Sequence, residues 1–361
     1  MTISYGTRSV ATESSVCVPF LPSFRNLQMS VDWKSFVNQI GHYESFVLTS
    51  HIRPDCDALG SELGMAEVLR AVGKKVRIIN AHRTPPALEF LDPAGRIEVL
   101  GDTVQAEDVS ADCIMILDTS AWAQLGDMGD VIRRSRADKV VVDHHMGEDD
   151  LGAKLYKDYT AEATGHLVVQ AADALGVALT RAMAGPIFAA IATDTGWFRF
   201  GSVTPATYRV VARLLEAGAV PAEIYGDLYE RDTLGRVRLR GLILSRTEAE
   251  IDGALVHTHV LKEDFETTGA APSDTEDAIN LTLTIEGTKA AVIFVEQIKG
   301  GFKLSFRSRC AMDCNEVARR FGGGGHKAAA GAFQEGTLKD VQARVLAVVR
   351  EEVAKAVRVE K

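Results

Sequence analysis

Between residue 46 and about residue 215, short apolar runs alternate with segments of helical period, and few folds tolerate that alternation. Phe46-Val47-Leu48-Thr49, Val76-Arg77-Ile78-Ile79, Cys113 to Leu117 and Lys139 to Val142 read as strands. Apolar runs this continuous belong to strands covered on both faces, which points to a parallel sheet between helices. The intervening helices are expected at about Ala58 to Val72, 163–175, 183–192 and 205–217. In the first, Leu59, Leu63, Ala66 and Leu69 form one stripe and Gly73 supplies the stop. The expected class is therefore α/β for a domain spanning 34–220, preceded by a poorly ordered extension over 1–33.

Beyond it the texture changes. Residues 221–250 read as a helical linker, with Arg236, Arg238 and Arg240 interleaved with leucines. Residues 251–361 read as a smaller α+β domain. Its strands are expected at Ala254 to Val260, Ala278 to Thr284, Ala290 to Glu296 and Phe302 to Arg307, with helices at about 315–321 and Leu338 to Val357. No run of about 18 uncharged apolar residues suggests a membrane span. Met1 to Gln28 lacks the basic start and apolar run of a secretory signal. Five cysteines, an odd number without a Cys-x-x-Cys pair, fit a reducing compartment, and the cytoplasm is the expected location. A net charge of −9 argues against a long non-specific nucleic-acid tract, but leaves room for a small anion at a local basic site.

The chemistry is concentrated in short segments that follow the strands. His51, Asp55 and Asp57 form H-x-x-x-D-x-D, Asp118 follows Ile116-Leu117, His144 and His145 follow Asp143, and Asp194 sits between two threonines. Taken alone, the carboxylate segments also read as helix caps, turns or a helix end, and the histidine pair as solvated or core-satisfied; Asp57, for instance, could cap the helix at Ala58. Together, His51, Asp55, Asp57, Asp118, His144 and Asp194 offer two imidazoles and four carboxylates at the mouth of an open sheet. Such a set suits two hard divalent ions about 3.5–4 Å apart, Mn²⁺ first, with Mg²⁺ or Fe²⁺ also compatible. His166, on an apolar helical stripe, reads as a core or outer histidine.

A second cluster lies near the C-terminus. Residues 299–327 hold seven basic side chains against two acidic ones, with Ser305, Arg307 and Arg309 on a strand. Gly322 to Gly325 and His326 precede Ala328-Ala329-Ala330-Gly331, read as a helix N-terminus cradling phosphate. Arg307, Ser305, Gly324, Gly325 and His326 are the expected phosphate contacts, since guanidinium groups grip phosphates bidentately.

In this order, HIRPDCDALGS, ILDTS, VVDHH, ATDTG and FGGGGHKAAAG resemble the DHH phosphoesterase family with its DHH-associated C-terminal domain, over roughly residues 34–355. Within it, the pattern is most similar to the compact nano-RNase branch. The resemblance implies hydrolysis of short oligoribonucleotides to 5′-mononucleotides, and of 3′-phosphoadenosine 5′-phosphate to AMP. It places His51 and Asp55 on one ion and Asp57, His144 and Asp194 on the other, with Asp118 bridging. His145 would contact the scissile phosphate, and a homodimer is implied. Cys56 stands where the family usually has Gly or Ala, so oxidation sensitivity or altered metal preference is expected. A linear or cyclic dinucleotide phosphodiesterase, a single-strand DNA exonuclease and a non-catalytic nucleotide sensor are the rival readings.

Overall fold

The computed structural model describes residues 31–147, 149–275 and 278–359, and its contacts divide the chain into two compact units, Met1–Leu228 and Tyr229–Lys361. Most of the expected extension, including Cys17, lies outside the described residues. Its last three residues do not: Val31 is buried, Asp32 caps the first helix through the Ser35 N–H, and Trp33 begins that helix.

In the first unit, α1 (Trp33–Gly41), β1 (Ser45–Thr49), α2 (Cys56–Ala71), β2 (Lys75–Asn80), β3 (Ile97–Val99), β4 (Cys113–Leu117), α3 (Asp127–Arg134), β5 (Asp138–Asp143), β6 (Lys154–Lys157), α4 (Thr164–Ala174), α5 (Arg181–Asp194), α6 (Pro205–Glu216) and α7 (Pro221–Tyr229) follow one another. The six strands form one wholly parallel sheet in the order β3-β2-β1-β4-β5-β6. Alternation along β1 divides two cores: Phe46 and Leu48 join α1, α2, α4 and α5 on one face, while Val47 joins α3 on the other. Each such fully buried side chain contributes roughly 1.5–3 kcal/mol. Helix α2 is buried nearly all round, not only along its leucine stripe, because α5 lies directly against its small residues. A Cβ at Gly60 would stand 2.3 Å from the Pro186 carbonyl oxygen.

Chain order reverses between β1 and β4, which run side by side. Loops leaving the carboxyl ends of two such strands diverge and open a crevice, the usual ligand position in a sheet of this kind. His51 lies just beyond β1, Asp118 just beyond β4, and His144 and His145 just beyond β5.

The second unit holds α8 (Leu234–Ser245), β7 (Glu248–Glu250), β8 (Leu255–Val260), α9 (Lys262–Thr268), α10 (Ala278–Thr282), β9 (Ala290–Glu296), β10 (Phe302–Ser308), α11 (Cys314–Arg319), β11 (Gly324–Gly325), β12 (Ala329–Gln334) and α12 (Leu338–Val359). Its sheet runs β11-β12-β10-β9-β8-β7, antiparallel except for the β8–β9 pair. One face packs on α11 and α12, the other on α8, α9 and α10. The span 221–250, expected as a helical linker, holds two helices and then a short strand, Thr233 restarting the helix as an N-cap that accepts from the Arg236 N–H. Two expectations fail. The strand expected at Ala278 to Thr284 is α10 over Ala278–Thr282: Ala278, Ile279 and Thr282 are its buried residues, a helical spacing. Gly322 to Gly331 form a β-hairpin rather than a helix start. No described helix is long and apolar enough to cross a membrane.

Candidate metal centre

The first unit gathers the six expected ligands into two sets, His51 with Asp55 and Asp118, and Asp57 with His144 and Asp194, and a third set of Asp118, His144 and His145 joins them. Asp55 caps α2 through the N–H groups of Asp57 and Ala58, so Asp55, not Asp57, is the helix cap. Asp57 occupies the first turn of α2, where the Thr164 and Gly165 N–H groups at the start of α4 hold its two oxygens at 2.7 and 2.9 Å. Asp194 ends α5. Asp118 adopts a left-handed φ of 62°, a conformation uncommon for a residue with a side chain and one that clusters at functional sites.

Both histidines are aimed by their own backbone contacts. His51 Nδ1 donates to the Ile52 carbonyl at 3.0 Å, and His144 Nδ1 donates to the Ala161 carbonyl at 3.1 Å. That leaves each Nε2 as the free lone pair, the usual arrangement of a metal-binding imidazole. His144 Nε2 is buried without a hydrogen-bond partner, yet carboxylate oxygens of Asp57, Asp118 and Asp194 lie 3.6–3.7 Å away. Those spacings are too long for hydrogen bonds and suit atoms sharing one ion at bonds of about 2.0–2.2 Å. Asp118 serves both sets: Oδ2 is 3.4 Å from His51 Nε2, and Oδ1 is 3.7 Å from His144 Nε2. The residues fit a pair of divalent cations.

Electrostatics agree. Burial, together with the Asp57 charge, pushes Asp118 well above the usual carboxylate range, and burial raises Asp57 too. Burial and Asp57 lift Asp194 to about 6. Burial opposes the charge on His51, but the carboxylates of Asp118 and Asp55 beside it prevail and raise it to about 11. Without cations, then, the cluster retains protons at neutral pH, and ions must displace them. Calorimetric titration of apoprotein with Mn²⁺ at pH 7.5, in buffers of differing ionisation enthalpy, is expected to show release of at least about one proton, with affinity rising with pH. Buffer-independent heats would contradict this.

Asp143, quoted in its motif but given no role, organises His145. Its Oδ1 accepts from the His145 backbone N–H and ring Nδ1, both at 3.0 Å, while Lys157 Nζ lies 2.9 Å from Oδ2. The Asp143 hydrogen bond outweighs burial and raises His145 to about 9, and its ring is half exposed at the mouth of the cluster. Lys157 and the Thr164–Gly165 N–H pair carried no sequence signal beyond a short polar strand and a helix start. His166 pairs with Glu162 at 2.9 Å, outside the cluster. Cys56 is buried, and burial pushes its thiol up to about 12.

In the second unit, Ser305, Arg307 and Lys303 line a cavity of about 280 Å³ with Thr275, Ile279, Ile293 and Val295. Arg309 instead donates to the Leu283 carbonyl at 2.8 Å. The glycines serve the hairpin. A Cβ at Gly325, where φ is 151°, would approach Ala330 Cα to 2.6 Å, and one at Gly323 would stand 2.1 Å from the Gly331 oxygen. The Gly325 N–H donates to Asn315 Oδ1 and the His326 N–H to the Ala329 carbonyl, so neither is a free anion donor. Gly324, Gly325 and the His326 side chain form an exposed rim, and Ala329 links it to Arg307 across the sheet.

The DHH family, N-terminal domain, matches residues 45–191, and the DHHA1 domain matches residues 256–355. The bifunctional oligoribonuclease and PAP phosphatase NrnA of Thermus thermophilus is 34% identical over 313 residues, 86% of this chain and 90% of its own. The protein of the same name from Bacillus subtilis is 29% identical over 299 residues, 82% and 91% of the two chains. The crystal structure of an exopolyphosphatase-related protein from Bacteroides fragilis is similar at a TM-score of 0.78 and 26% identity, covering 91% of this chain and 98% of that one.

Proposed function

We propose, from the chain's belonging to the DHH family with a DHHA1 domain, that it hydrolyses short oligoribonucleotides to 5′-mononucleotides and 3′-phosphoadenosine 5′-phosphate to AMP. The observation that carries this reading is Asp118, whose two oxygens face two separate ligand sets beside a buried, partnerless His144 Nε2. His51 and Asp55 would hold one ion, Asp57, His144 and Asp194 the other, and Asp118 both. Bound divalent cations, Mn²⁺ by preference, supply a water acidified for attack on phosphorus and neutralise the developing charge.

The chain's own side chains do the rest. His145, kept charged by Asp143, points an imidazolium towards incoming phosphate and can donate a proton to the leaving oxygen. Arg307 and Ser305 would hold a second phosphate of the substrate, beside the bare rim of Gly324, Gly325 and His326. Free cysteines, three of them buried, fit a cytoplasmic setting.

The test is Mn²⁺-loaded protein against end-labelled RNA of 2–24 nucleotides, the 3′,5′-bisphosphate and cyclic dinucleotides, compared by kcat/KM. Selective turnover of the shortest RNAs and of the bisphosphate is expected; a preference for 24-mers or for cyclic dinucleotides would reject the reading. Arg307→Ala is expected to raise KM about ten- to a hundredfold with kcat little changed, since a charge-assisted hydrogen bond is worth roughly 1.5–3 kcal/mol. A fall confined to kcat would remove Arg307 from binding.

A further inference from the structure

We propose that the second unit carries a further nucleotide-binding subsite, a cavity of about 650 Å³ beside the Arg307 cavity, which takes the adjoining nucleotide of an oligonucleotide and is not needed for a nucleoside bisphosphate. The proposal rests on the phosphoesterase reading above and assigns that activity a second specificity element.

The two cavities are continuous in their lining: Thr275, Val295 and Lys303 belong to both. The smaller one presents Arg307, Ser305 and Lys303, the groups suited to a phosphate. The larger one is built differently. Phe265 from α9 and Phe333 from β12 supply aromatic surface, Ile298 an apolar rim, and Lys262, Lys299 and Lys303 the charge. Its single carboxylate, Glu296, accepts the Lys262 backbone N–H at 2.9 Å. Three ammonium groups around aromatic walls match a ligand with both a flat base and a phosphodiester, and the volume is that of a small-molecule site. An acidic peptide would use the lysines but would leave the rings without a stacking partner.

Geometry holds these groups in place. Register pairs Lys303 with Phe333 across β10 and β12, so ring and ammonium are neighbours on one face of the sheet. The Phe333 ring rests against Gly301, where a Cβ would come within 2.5 Å of the ring and φ is 74°. A side chain at 301 would expel the ring, so the bare turn that follows Lys299 and Gly300 seats it. Phe333 is nonetheless 48% exposed and Ile298 73% exposed, apolar surface left to water at the mouth of a basic cavity. A base stacking there would cover it.

The test is the double variant Phe333→Ala/Lys299→Gln, both exposed positions, in full-length Mn²⁺-loaded protein. For a five-nucleotide RNA, KM is expected to rise about ten- to a hundredfold, the loss that one base–aromatic contact carries. Turnover of 3′-phosphoadenosine 5′-phosphate should stay within about twofold, and Phe333→Trp should restore the oligonucleotide KM. An equal loss on both substrates, or no loss on RNA, would overturn the subsite. If the parent protein cleaves neither substrate, anisotropy of a fluorescein-labelled five-nucleotide RNA in EDTA separates the two ideas. Weaker binding by the double variant would support the subsite while the hydrolytic reading fails. Unchanged binding, or capture of poly-glutamate in place of RNA, would end the subsite as well.

Discussion

Asp118→Asn is expected to lower kcat/KM by at least about a thousandfold on RNA and bisphosphate alike, well beyond the 10- to 100-fold that loss of an outer partner of a ligand costs. One carboxylate faces both ligand sets, 3.4 Å from His51 Nε2 through one oxygen and 3.7 Å from His144 Nε2 through the other. An amide replaces one of those acceptors with a donor, which would face a cation. Metal analysis should show Mn²⁺ falling from two per chain to one or none. Stability should move the other way without metal. Burial raises the folded-state pKa of Asp118 well above its unfolded value, so its ionisation opposes folding as pH rises past about 4. In EDTA at pH 7.5 the Asn variant should therefore melt no lower than the parent, which separates lost chemistry from lost fold. A variant keeping two ions and a tenth of parental turnover would refute the bridging role.

The gathering of His51, Asp55, Asp57, Asp118, His144 and Asp194 was legible because local chain pattern sets much of it. Apolar runs define β1, β4 and β5, and open parallel sheets place the next few residues at a common rim. What stayed hidden depended on contacts between distant segments. Strands β3 and β6, Ile97-Glu98-Val99 and Lys154-Leu155-Tyr156-Lys157, are short and carry charges, so they did not read as apolar runs. Four glycines permit helix start, loop or strand equally; β12 lying against Gly323 and Gly325 decides for the hairpin. At 279–284, Ile-Asn-Leu-Thr-Leu-Thr alternates like a strand, yet Ala278–Thr282 is helical and buries Ala278, Ile279 and Thr282. Lys157 was invisible for a similar reason, since its partners come from two other segments.

That lysine supports the second large effect. Its Nζ lies 2.9 Å from Asp143 Oδ2, donates to Ser120 Oγ at 2.5 Å and to the Gly147 carbonyl at 2.7 Å, and the side chain is only 3% exposed. It thus ties the turn after Asp118 to the segment carrying His144 and His145. Lys157→Met would leave the fully buried Asp143 charge with only the half-exposed His145 as a partner, and breaking a buried pair from one side costs about 3–5 kcal/mol, an upper figure here because His145 remains. For a unit of this size, that is on the order of 10 °C in Tm, measurable by calorimetry in EDTA. The pH dependence gives a second reading. Burial opposes the Asp143 charge, but His145 and Lys157 prevail and hold its pKa down to about 2. A depressed acid stabilises the fold above its unfolded pKa near 4, and that contribution disappears as pH falls from about 4 to 2. The Met variant should lose much of this acid-sensitive increment, so its deficit should be large at pH 7 and shrink towards pH 2. Adding Asp143→Asn should recover part of the Tm, because removing both charges leaves no unpaired ion in the core. A Met variant as stable as the parent at pH 7, or a double variant worse than the sum of its singles, would show that the pair does not hold these loops.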